Sequence, residues 1–102
     1  MPGNSDYRIS RKAQEDIRAI GLYTQQTWAK ELRRSYLTGL ETSFRQIAQN
    51  PFLAAERTEF TPVVRIHPFQ KHLIVYIPDE AGLLIVRVLH ANMDVTARLT
   101  YP

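Results

Sequence analysis

Three histidines and thirteen cations, ten of them arginine, carry most of the chemistry available to this 102-residue chain. One stretch gathers several of them. In "IVRVLHANMD" (85–94), Arg87 is followed by His90 and then by the pair Met93 and Asp94. A histidine among arginines could serve in-line attack by a ribose 2′-hydroxyl on phosphate, which needs a general base, a general acid and cations to hold the phosphorane charge. His90, Arg65 and Arg87 would carry that reaction, with His72 and Lys71 as further charge and Tyr101 as the only late aromatic hydroxyl. The other reading of His90 is a strand-end ring hydrogen-bonded to backbone. One histidine without a placed acid partner is a poor catalytic signal, so the sequence favours binding over catalysis.

The bulk composition narrows the classes. There is no cysteine, which removes disulfides and thiolate metal sites and fits a reducing cytoplasm. No nucleotide loop, HExxH or other metal-ligand cluster occurs, so neither cofactor nor metal is expected. No apolar run approaches the roughly 18 residues of a membrane span, and "MPGNSDYRIS" has no signal-peptide core. The expected setting is therefore cytoplasmic, away from the membrane. The net charge of +3 is modest for a dedicated nucleic-acid binder. Arginine suits planar contact with carboxylate or phosphate, so an acidic protein would also suit this chain.

The elements that must position these residues follow from periodicity. "DYRIS" (6–10) reads as a short strand, and Ser10 as the N-cap of a helix carrying Ala13, Ile17, Ile20, Thr24 and Trp28 at helical spacing. Gly21 interrupts that pattern at a cost of about 1 kcal/mol against alanine. Leu32, Tyr36, Leu40, Phe44, Ile47 and Ala48 form one apolar stripe over 30–49. Asn50-Pro51 ends it, because the residue before proline disfavours helix. Residues 51–62 read as a loop. "VVRIHPF" (63–69), "KHLIVYI" (71–77) and "LLIVRVLHA" (83–91) read as strands, with "PDEAG" (78–82) a hairpin turn. Residues 93–102 read as a short tail, one helical turn or an edge segment. The fold class is α+β: one domain over 1–102, a small antiparallel sheet of three to four strands, and a helical hairpin on one face, in the order β-α-α-β-β-β.

One hairpin covers one face of such a sheet, yet both faces of these strands are apolar. With Leu73, Val75, Ile77, Leu84, Val86 and Val88 under the helices, Ile74, Tyr76, Leu83, Ile85, Arg87 and Leu89 are left uncovered, and Arg65 can join them. An exposed apolar patch rimmed by cations marks a partner site. Folding of the 51–62 loop and the C-terminal tail over that face is the competing arrangement. Trp28 and Tyr36 read as core residues, His67 as a loop residue, and Arg33, Arg34 and Arg45 as a solvated helix face.

The chain resembles the ParE toxins of type II toxin–antitoxin modules, within the RelE/ParE superfamily. The resemblance rests on "YRIS…A..DI" at 7–17, Tyr23 with Trp28, "YL.GLE..F..IAQNP" at 36–51, "P.VRI" within 62–66, "HLIVY" at 72–76 and "VRVLHANMD" at 86–94. It departs from the family where Ala54 and Val63 stand in positions that are often glycine. The resemblance implies inhibition of DNA gyrase by direct binding, with the GyrA polypeptide expected to be the contact, and neutralisation by a ParD-like antitoxin. It also implies no sequence-specific nucleic-acid binding by the toxin alone. Antitoxin contact is then expected at Arg65, Ile74, Tyr76, Ile85 and Arg87, and target contact at His90, Met93, Asp94 and Arg98. The RelE branch of the superfamily, which cuts mRNA on the ribosome, is the alternative.

Overall fold

The computed structural model describes residues 7–27 and 29–100. Its elements are β1 (Tyr7–Ile9), α1 (Arg11–Thr27), α2 (Lys30–Gln49), β2 (Glu56–Arg57), β3 (Val64–Phe69), β4 (His72–Asp79), β5 (Gly82–His90) and α3 (Val95–Thr100). Trp28 and Tyr101, singled out from the sequence, lie outside the described residues.

The two long helices form where the apolar stripes place them. Ser10 caps α1: its Oγ accepts the Ala13 N–H at 3.1 Å and its hydroxyl donates to the Val86 carbonyl at 2.7 Å. The cap therefore also ties the helix to β5. Gly21 and Gly39 mark close approaches. A methyl group at Gly21 would lie 2.9 Å from Arg33 Nε, and one at Gly39 would lie 2.9 Å from Phe69 Cζ. Gly21 thus trades helix propensity for the packing of Arg33 across α1.

The sheet has five strands in the order β1-β5-β4-β3-β2. That is more than the three to four expected, because Glu56–Arg57 in the 51–62 segment pairs with Arg65 and Val64. The sheet is also mixed, since β1 runs parallel to β5 while every other pair is antiparallel. The β4–β5 turn closes on Gly82 at φ 122°, a backbone conformation that glycine adopts freely.

The strand faces are the reverse of those expected in β4 and for Leu83 and Ile85 of β5, whereas Val88 packs under the helices and Leu89 away from them, as expected. Ile74, Tyr76, Leu83, Ile85 and Val88 pack with Ala13, Ile20, Leu40, Phe44 and Ile47 of the hairpin. Val75 and Leu89 face the other way. Within β5 the expected alternation fails at a bulge. Val75 pairs with Arg87 but Tyr76 pairs with Ile85, so Val86 is an extra residue and the alternation changes phase there. Strict period-two counting cannot place Ile85 and Val88 on one face; the bulge does. The far face is not open either. Phe60 from the loop and Val95 and Leu99 of α3 cover it, so the competing arrangement is the one the chain adopts.

Candidate functional site

The residues expected to form an uncovered partner face divide into two groups. Ile74, Tyr76 and Ile85 are 0%, 1% and 0% exposed beneath the hairpin, so they offer no surface to a partner in this conformation. Arg65 and Arg87 are engaged within the chain. Arg65 donates to the carbonyls of Phe52, at 3.3 Å, and Ala54, and its guanidinium lies 5.2 Å over the Phe52 ring. The Tyr76 hydroxyl donates to the Pro51 carbonyl at 3.1 Å. Both side chains therefore brace the turn that follows α2, and burial raises the Tyr76 pKa above its ordinary value.

Arg87 forms a two-pronged pair with Asp16 of α1, at 2.8 and 3.0 Å, and Asp16 also accepts the Val88 N–H at 3.0 Å. Strand β1 ends at Ile9, so among the described residues the edge of β5 beyond Ile85 has no strand neighbour on that side. Ser10 and Asp16 take its place: Ser10 N–H bonds the Ile85 carbonyl at 2.9 Å, Ser10 Oγ–H the Val86 carbonyl, and Asp16 the Val88 N–H. The carboxylate hydrogen bonds hold the Arg87 pKa above its ordinary value.

The open site lies at the other end of the helix–sheet interface. The apolar stripe of α2 continues past the packed core, where Leu32 is 44% exposed, and Tyr23 of α1 is 66% exposed. Together with Met93, 41% exposed, they line a cleft of about 580 Å³ between the hairpin and the ends of β4 and β5. Its polar end holds three linked groups. Tyr36 Oη and His72 Nδ1 are 2.6 Å apart. His72 and His90 are directly paired across β4 and β5, with ring centroids 5.3 Å apart, edge to face. Lys71 and Gln70 from the β3–β4 turn complete this end, and Asp16 also borders the cleft. Burial lowers the His72 pKa from its ordinary 6.5, and the neighbouring His90 lowers it further. Burial raises the Tyr36 pKa.

His90 thus stands at the mouth of a cleft and also marks a strand end, where its Nδ1 accepts the Asn92 N–H at 3.1 Å. Of the other residues in the 90–98 segment, Met93 lines the cleft. Asp94 caps α3 through the Ala97 N–H at 3.2 Å, and Arg98 is exposed on that helix. The structure does not join His90 with Arg65. Arg65 pairs with Tyr76, four residues along β4 from His72 and so about 13 Å away. Sequence reasoning placed Tyr36 in the core and treated His72 only as spare charge. Their meeting depends on the hairpin docking over the sheet, which no local spacing reports. Among the described residues no group of three His, Cys, Asp or Glu side chains could hold a metal ion, and no helix is long and apolar enough to cross a membrane.

Comparison with known proteins adds a family. Residues 7–95 match the model of the ParE toxin of the type II toxin–antitoxin system parDE. Toxin ParE of Escherichia coli is 30% identical over 95 residues, covering 91% of each chain. Toxin ParE1 of Caulobacter vibrioides is 30% identical over 95 residues, covering 91% of this chain and 96% of that one. Among solved structures, a chain of the chromosomal ParDE system from P. aeruginosa superposes with a TM-score of 0.73 at 16% identity, over 87% of this chain and 98% of that one. That likeness is one of fold.

Proposed function

The chain belongs to the ParE toxin family of parDE toxin–antitoxin systems, and on that premise we propose that it inhibits DNA gyrase by binding and is neutralised by a ParD-like antitoxin seated in the cleft. The observation that carries the antitoxin site is the open apolar end of the hairpin. Tyr23, Leu32 and Met93 together form an exposed patch of the kind that partners cover. An amphipathic helix is the matching ligand, its apolar side in the cleft and its acidic side toward Lys71 and the chain's positive charge. The antitoxin contacts therefore move from Ile74, Tyr76 and Ile85 to Tyr23, Leu32, Tyr36 and Met93. Arg65 and Arg87 shape the scaffold behind them.

The proposed target surface, His90, Met93, Asp94 and Arg98, adjoins the same cleft. An antitoxin lying in it would cover Met93 and His90, so neutralisation follows from occlusion alone. Binding needs no catalytic group, and of the two arginines the sequence offered for a phosphorane, Arg87 is committed to Asp16 and Arg65 lies away from His90, bonded to backbone carbonyls.

One observation favours the RelE-type ribonuclease as a second reading: paired imidazoles 5.3 Å apart beside a tyrosine hydroxyl. One experiment separates the two. Purified toxin is added to gyrase supercoiling reactions and, in parallel, to ribosomes translating a defined mRNA. Blocked supercoiling with intact mRNA is expected; cut mRNA with unaffected gyrase would overturn the gyrase reading.

A further inference from the structure

The polar end of the cleft has a composition that plain apolar docking does not require. His72 receives groups from every element packed around it: Tyr36 from α2, His90 from β5, Lys71 from the β3–β4 turn, and Asp16 of α1 with its partner Arg87. Asp16 borders the cleft, but its oxygens already accept three hydrogen bonds from Arg87 and Val88. The Nδ1 atoms of both rings are occupied, by Tyr36 and by the Asn92 N–H. Because His90 Nδ1 accepts a backbone N–H, the neutral ring carries its proton on Nε2, a donor. Two imidazoles in contact do not both take a proton without a counter-charge.

We propose that this end of the cleft is a carboxylate-binding subsite. His72 and His90 together hold one acidic side chain of a partner helix whose apolar residues lie against Tyr23, Leu32 and Met93. The inference rests on the reading above, that an antitoxin segment occupies the cleft, and it adds what that segment must carry. The carboxylate supplies the counter-charge the ring pair lacks, and Lys71 adds attraction at the rim. An acidic peptide fits better than a nucleic acid. The walls are formed by Ile20, Leu32, Val88 and Met93, and a phosphate backbone calls for a row of free cations.

The subsite makes binding proton-linked. A carboxylate beside the pair favours the charged ring, so the complex takes up a proton in the pH range where histidine titrates. The test is calorimetric titration of the full-length toxin with its cognate antitoxin between about pH 8 and about pH 6, in buffers of different ionisation enthalpy. Affinity is expected to rise as pH falls, by up to about tenfold per pH unit. The slope should flatten in His72→Gln/His90→Gln. Imidazole titration by NMR on the unsubstituted toxin keeps the test independent of whether that variant folds: the His72 ring, lowered in the free protein, should titrate higher in the complex. Binding that Leu32→Asp abolishes, with ring titration unchanged, would overturn the subsite and leave the docking reading standing. Binding that is indifferent to Leu32→Asp would overturn both. Ring shifts produced by a single-stranded RNA oligonucleotide and not by the antitoxin would assign the pair to phosphate.

Discussion

The two ends of the helix–sheet interface use similar residue types for different purposes. At one end, Tyr76 and Arg65 turn their polar atoms onto the carbonyls of residues 51–54 and hold that turn against the sheet. Phe52 and Leu53 protrude into solvent there. At the other end, Tyr36 and His72 bond each other beside His90, and the apolar side chains around them are left open. Both ends present an aromatic hydroxyl and a basic group under a helix. What separates them is the partner each finds. Arg65 and Tyr76 donate to backbone carbonyls and act as braces, whereas Tyr36 and His72 bond each other at the edge of an open cleft.

The largest expected effect breaks the scaffold behind both ends. Asp16→Ala removes the carboxylate that satisfies Arg87 and the Val88 N–H, and it leaves a largely buried cation unpaired. It should cost about 3–5 kcal/mol, read by denaturant unfolding. A loss below about 1 kcal/mol would place the pair among ordinary surface ion pairs. Next come changes confined to the open end. Leu32→Asp or Tyr23→Asp should weaken antitoxin binding by about 2 kcal/mol or more, while fold stability shifts by no more than about 0.5 kcal/mol. A smaller effect is expected from Gly39→Ala, whose methyl group meets the Phe69 ring that packs edge-on against Tyr36 at 5.2 Å. Overpacking should outweigh the gain in helix propensity and lower stability by about 1 kcal/mol, visible as a reduced Tm.

The smallest effect sharpens the comparison through pH. The His72 pKa is lowered in the folded chain from 6.5, so the unfolded chain binds the proton more readily. Stability of the free toxin should therefore fall as pH drops below about 6.5 and be insensitive to this group above it. His72→Gln should flatten that acid limb in urea midpoints measured across the range. Antitoxin affinity is expected to move the opposite way over the same window, so the complex should gain in acid what the free toxin loses.

Much of the scaffold was legible from residue order. The stripe from Leu32 to Ala48 gave α2 its limits, Ser10 announced the cap of α1, and the glycine at 82 closed the hairpin turn. The partner face was not legible, for two physical reasons. A single extra residue at Val86 breaks, within β5, the alternation that face assignment depends on. And Arg65 and Arg87 look like free cations until the fold brings up their partners, which lie 11 to 13 and 71 residues away in the chain. The cleft had one visible trace: the α2 stripe carries Leu32, a full turn beyond the last residue the sheet can cover.

The most direct measurement is hydrogen exchange of the toxin alone and in complex with its cognate antitoxin. Protection is expected in α1 and α2 around Tyr23 to Tyr36, in the 70–72 turn and at 90–93, with the 51–57 segment unchanged. Protection concentrated at Phe52, Leu53 and β2, with the hairpin end exchanging as in the free toxin, would contradict the assignment of the open cleft as the antitoxin site.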